Sequence, residues 1–137
     1  MSGTSASSDS SRASQAHILV LEDDPGVRTA MGMLLQVEGY RVSTASNVAE
    51  SLALARENAD IAILIVDYHL SDGELGTDAV VSIRAILGPA VKAILITGDT
   101  SGAADKMARD HNLQTLRKPV RPDDLTDLLC DLHEGRA

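Results

Sequence analysis

The sequence predicts a doubly wound α/β fold with a five-stranded parallel sheet, and three observations carry that prediction. Short aliphatic runs alternate regularly with segments of helical spacing. The strongest runs, "HILVL", "IAILIV" and "AILIT", have no polar alternation, which is the mark of strands covered on both faces. Each helical segment also carries its own start or stop signal.

The first strand is read at "HILVL". Asp24 caps the helix that follows, Pro25 takes its first position, and Gly39 ends it. Val27, Met31, Leu34 and Leu35 fall at helical spacing within it. "YRVST" (40 to 44) is a second, less buried strand. "NVAE", Asn47 to Glu50, resembles a capping box that opens a helix running to about Asn58. "IAILIV" is the third strand. "TDAVVSIRAIL" then places Val80, Ile83 and Leu87 on one stripe and stops at Gly88-Pro89. "AILIT" is the fourth strand, and "SGAADKMARDH" follows as a weakly apolar helix. "QTLRK" (114 to 118) is the fifth strand. Pro122 opens the last helix, with Leu125, Leu128, Leu129 and Leu132 on its buried side. Five βα units with right-handed crossovers give a three-layer α/β/α domain with the flavodoxin-like strand order 2-1-3-4-5.

Composition narrows the function. A chain of 137 residues suits one domain, and 44% apolar content favours a globular fold over disorder. With no Trp, no Phe and two Tyr, the core must be aliphatic. A net charge of −8 argues against nucleic-acid binding and against contact with an anionic membrane. The single cysteine, Cys130, excludes an internal disulfide and is expected to be a half-buried thiol. No apolar run reaches the roughly 18 residues of a membrane helix, and no signal-peptide pattern opens the chain. A cytoplasmic location is the expectation. Half of residues 1 to 14 are serine, so residues 1–15 read as a disordered head or linker and 16–137 as the folded domain. No internal repeat is seen.

In an open α/β sheet, ligands bind beyond the carboxyl ends of the strands. The residues that follow each run are therefore the informative ones. Glu22, Asp23 and Asp24 follow the first strand, Asp67 the third, Thr97 and Gly98 the fourth, and Lys118 and Pro119 the fifth. Clustered carboxylates need a cation or raised pKa values. Mg²⁺ suits oxygen ligands and is often shared with a phosphate. Lys118 supplies a point charge for a phosphoryl oxygen, and Thr97 a hydroxyl donor. A carboxylate can itself be the nucleophile, and Asp67, alone after the most apolar strand, is the candidate. Taken alone, "EDD" reads equally well as a solvated turn, and Asp24 as a helix cap before Pro25. His17, His111 and His133 show no ligand spacing and are expected at the surface. The leucines of the last helix are mainly core, with a homodimer or kinase-docking face as another use for some.

With "ILVLEDDP", "LIVDYHLSDGELG", "ILITGDTS" and "LRKPV" in order, residues 17 to 133 resemble the receiver domain of two-component response regulators. The resemblance implies a phosphoryl group taken from a histidine kinase or histidine phosphotransfer protein onto one aspartate, with Mg²⁺ (or Mn²⁺). It casts Asp67 as phosphoacceptor. Glu22, Asp23, Asp67 and the main-chain carbonyl of His69 become metal ligands. Thr97 and Lys118 complete the catalytic set, Lys118–Pro119 is a cis bond, and the side chains of His69 and Asp99 modulate dephosphorylation. Such a domain catalyses its own phosphorylation and dephosphorylation without turning over an external metabolite. Competing readings are a metal-dependent phosphatase and a pseudo-receiver used only for binding. The former usually has an acid/base aspartate where His69 stands. The latter would lack Asp67, Asp23 or Lys118, and all are present.

The sequence departs from the family pattern at several positions. Thr115 stands where Tyr or Phe is frequent, so the aromatic rotamer switch is absent. Ser71 stands where proline is frequent, Gly76 falls one residue later than is typical, and Gly98 replaces the commoner Ala. "TGDTS" and "LRKPV" without the aromatic are similar to receivers at the C-terminus of hybrid histidine kinases, with a free-standing single-domain regulator as the alternative. No output domain is expected after residue 137.

Overall fold

A computed structural model describes residues 16–98 and 102–133, apart from the side chains of Asp72 and His133. The expected head and Asp99 lie outside the described residues.

The strands are β1 (His17–Leu21), β2 (Arg41–Ala45), β3 (Ile61–Asp67), β4 (Lys92–Thr97) and β5 (Gln114–Arg117). They form one sheet in the order β2-β1-β3-β4-β5, every pairing parallel. The helices are α1 (Pro25–Val37), α2 (Val48–Glu57), α3 (Gly76–Leu87), α4 (Ala103–Asp110) and α5 (Pro122–His133). This is the flavodoxin-like order expected from the alternation of runs. Among the described residues no helix is long and apolar enough to cross a membrane.

Strand side chains alternate between two cores. Ile18, Val20, Ile63, Ile65, Ile94 and Ile96 face α1 and α5, meeting Met31, Leu35, Leu125 and Leu129. Leu19, Leu21, Leu64, Val66 and Leu95 face the opposite way, onto Ala55, Val80, Ile83 and Ala104. Burial on both faces explains why these runs lack polar residues, and it fixes the register that carries Glu22 and Asp67 to one rim.

The caps behave largely as the sequence predicts. Asp24 Oδ1 accepts from the backbone N–H of Gly26 (2.8 Å) and Val27 (3.1 Å), leaving α1 anchored directly behind the acidic pair. Gly39 follows α1 at φ 95°, a left-handed conformation that favours glycine. Asn47 Oδ1 accepts from Glu50 N–H at 2.8 Å, but the return bond differs from a capping box. The Glu50 carboxylate takes the N–H and hydroxyl of Ser46, one residue earlier, both at 2.7 Å.

Two expectations are overturned. His17 is buried, at 6% exposure, with Nδ1 2.9 Å from Asp60 Oδ1 and Nε2 2.7 Å from Ser43 Oγ. It pairs with Arg41 on one side and Ile61 on the other, so the strands beside it shield a side chain whose polar atoms are met by Asp60 and Ser43. Cys130 is exposed rather than half-buried, because Leu125, Leu129 and Leu132 take the inner face of α5. His111 is half-exposed.

Candidate functional site

The site stands at the carboxyl rim of β1, β3 and β4, where the fold delivers polar groups from well-separated parts of the chain. Glu22 directly follows β1 and is 3% exposed. Its N–H donates to Ala45 O at 3.1 Å, and its Oε2 accepts from Asp24 N–H at 3.1 Å. Asp23 is half-buried beside it, and Asp67, the last residue of β3, is 5% exposed. Carboxylate oxygens of Glu22, Asp23 and Asp67 lie within 4.8 Å of one another.

Lys118 completes this edge. Its Nζ donates to Asp67 Oδ2 at 3.2 Å, and its backbone N–H donates to Thr97 O at 2.8 Å. Lys118–Pro119 is cis. Thr97 ends β4 at 1% exposure, one residue beyond Ile96, the register partner of Asp67. The His69 side chain is exposed, with its ring 4.6 Å from that of Tyr68. The structure thus brings Glu22, Asp23, Asp67 and Lys118 into one cluster, with Thr97 on the neighbouring strand.

The electrostatics reflect three acids at one place. Burial, above all, pushes the Glu22 carboxyl up to about 7. The Asp24 N–H opposes that shift, while the charge of Asp67 adds to it. Asp23 is held below the usual carboxylate range, first by the Ser71 hydroxyl. Two buried carboxylates and a third at the rim form an all-oxygen donor set with surplus negative charge. That chemistry fits a hard divalent cation such as Mg²⁺.

Three further residues shape the site. Ser71, at the start of a 3₁₀ turn (Ser71–Gly73), donates its hydroxyl to Asp23 Oδ2 at 2.6 Å. Arg28 Nη1 donates to Glu22 O at 3.0 Å and to Asp23 O at 3.4 Å, tying the acidic pair to α1. The Gly76 N–H donates to Tyr68 O at 2.7 Å and brings the start of α3 against the end of β3. Ser71 and Gly76 stand out in the sequence only as departures from a family pattern, and Arg28 carries no signal there at all.

A family model described as "Response regulator receiver domain" matches residues 18–130. The chain belongs to the response regulator receiver domain family. This receiver domain is 33% identical over 125 residues to Transcriptional regulatory protein GlrR of Escherichia coli (strain K12), covering 89% of this chain and 27% of that protein. It therefore spans about a quarter of the length of that curated relative. Among solved structures it is similar to a CheY-like receiver domain from Methanospirillum hungatei JF-1. The TM-score is 0.80 at 26% identity, covering 89% of this chain and 96% of the other. A receiver domain from Clostridium thermocellum gives 0.79 at 28% identity, covering 88% and 96%. Receiver domains are signalling modules of two-component systems, not metabolic enzymes.

Proposed function

We propose that this receiver domain accepts a phosphoryl group on Asp67 from a phosphohistidine of a histidine kinase or phosphotransfer protein. An Asp67 carboxylate oxygen attacks phosphorus, a P–O bond forms, the P–N bond breaks, and the donor imidazole leaves with the bonding electron pair. The single observation that carries this reading is the contact of Lys118 Nζ with Asp67 at 3.2 Å, beside the three-carboxylate cluster. Phosphoryl transfer needs positioning and charge neutralisation more than covalent chemistry from the protein. Lys118 neutralises one phosphoryl oxygen, and the Thr97 hydroxyl donates to another.

Glu22, Asp23, Asp67 and the His69 main-chain carbonyl would hold Mg²⁺ (or Mn²⁺), which supplies Lewis-acid neutralisation of phosphoryl charge. Asp23 and Asp67 would be the direct carboxylate ligands, and Glu22 would act through water. His69 and Asp99 set water access to the acyl phosphate. A groove of about 650 Å³, lined by Val27, Ala30, Leu34, Val120 and Pro122, reaches Lys118 and offers the donor protein an apolar approach to the site. The cytoplasm is the compartment we assign. Incubation with acetyl phosphate and Mg²⁺ should give an alkali-labile acyl phosphate in the native chain and none in Asp67→Asn. Equal labelling of the mutant contradicts the reading.

A further inference from the structure

The geometry points to Ser71 as the residue that sets which divalent cation this site prefers. The inference rests on the metal-site reading above and concerns a side chain that this reading does not use.

Ser71 reaches Asp23 across 48 positions of sequence, donating its hydroxyl to Oδ2 at 2.6 Å. The backbone that delivers the hydroxyl is itself held. Leu70 N–H donates to Glu74 O at 3.0 Å and Glu74 N–H to Ser71 O at 3.4 Å, while His69 and Leu75 form an antiparallel bridge. The turn is tied back to the site through the Gly76 N–H and Tyr68 O. The hydroxyl is thus presented from a fixed base rather than from a free loop.

That bond has two effects on Asp23. It fixes the rotation of the carboxylate, and it draws charge from Oδ2. Asp23 then favours ligation through Oδ1 alone. Mg²⁺ takes six ligands in a tight octahedron and is served by one oxygen from each carboxylate. Ca²⁺ takes six to eight oxygens in a looser shell and gains from a carboxylate that can offer both. Ser71 therefore favours Mg²⁺ and disfavours Ca²⁺. It is a positioning residue, acting on the metal only through Asp23.

The test is calorimetric titration of metal-free chain with MgCl₂ and, separately, CaCl₂, for native protein and for Ser71→Ala, Ser71→Val and Ser71→Thr. Outer partners of metal ligands are worth about tenfold or more in affinity. We expect Ser71→Ala and Ser71→Val to weaken Mg²⁺ binding by about tenfold while Ca²⁺ binding holds or tightens. Ser71→Thr keeps the hydroxyl and should keep the native ratio of the two affinities. A purely structural role would move both cations together, or neither, and would follow the melting temperature of each variant. Native Mg²⁺ binding with an unchanged Mg²⁺/Ca²⁺ ratio in both Ser71→Ala and Ser71→Val overturns the role of Ser71 alone. Failure of the native chain to bind either cation overturns the metal-site reading, and this inference falls with it.

Discussion

The start of α3 lies against the end of β3 so closely that a Cβ at Gly76 would stand 2.2 Å from the carbonyl oxygen of Asp67 and 2.7 Å from Val66 Cγ1. No side chain fits in that space, and the nearest atom is backbone, which cannot rotate away. Gly76→Ala should therefore push α3 off the rim that carries Asp67. Overpacking of this kind costs about 1–3 kcal/mol, and a backbone clash belongs at the upper end. Urea denaturation measures it. An alanine variant of native stability would mean that α3 does not dock as described.

Asp67 is buried beside Glu22, and its partner Lys118 is 43% exposed on the side chain. Removing the Asp67 charge leaves a lysine that water can still solvate and relieves carboxylate repulsion in the cluster. In the absence of divalent metal at pH 8, Asp67→Asn should be more stable than native by about 1 kcal/mol. Added Mg²⁺ should narrow or reverse the difference, because it stabilises the native chain through binding. A destabilised Asp67→Asn in chelator would show that the Lys118 contact outweighs the repulsion.

Glu22 gives the metal-free domain a distinctive pH dependence. Its carboxyl ionises near the ordinary glutamate value of 4.5 when unfolded and at about 7 when folded. Between those values the folded chain binds more protons, so stability rises as pH falls through 7 and the gain is complete below 4.5. Above 7 the full cost of the buried charge is present. Native protein in chelator should therefore melt higher at pH 6 than at pH 8, relative to Glu22→Gln. A cation competes with the same proton, so Mg²⁺ affinity should fall over the same interval. Parallel melting curves for native and Glu22→Gln would contradict the assignment.

Arg84 joins the amino ends of β4 and β5 to α3. Its guanidinium donates to Val91 O (3.0 and 2.8 Å), His111 O (2.6 Å) and Asn112 O (3.3 Å). Burial lowers its pKa below that of an ordinary arginine. Each such bond contributes about 1 kcal/mol net, so Arg84→Ala should cost about 2–4 kcal/mol. Lysine is a point charge without the planar fork, so Arg84→Lys should recover only part of this. Full recovery by lysine, measured by chemical denaturation, would reduce Arg84 to a simple charge.

The three central strands β1, β3 and β4 are legible because each is a short, largely aliphatic run buried on both faces, whereas β2 and β5 at the sheet edges carry more polar residues and a weaker signal. The helices were legible because Asp24, Asn47, Gly88 and Pro122 marked their ends. Position relative to those strands was also enough to bring Glu22, Asp23, Asp67 and Lys118 together on paper. What stayed hidden depended on contacts between distant segments. Nothing local says that His17 will be enclosed by Ser43 and Asp60, since β1 acquires its neighbours only in the sheet. The Ser71–Asp23 bond and the close approach at Gly76 depend on how the loop after β3 folds back. Residue spacing alone does not encode that path.

Borohydride reduction after acetyl phosphate treatment with Mg²⁺ tests the central claim most directly, because it converts an aspartyl phosphate to homoserine at the modified position. Peptide mapping by mass spectrometry should find homoserine at position 67 and at no other aspartate. Homoserine at Asp23, or an unreduced Asp67 in a chain that has nonetheless taken up phosphate, would contradict the account.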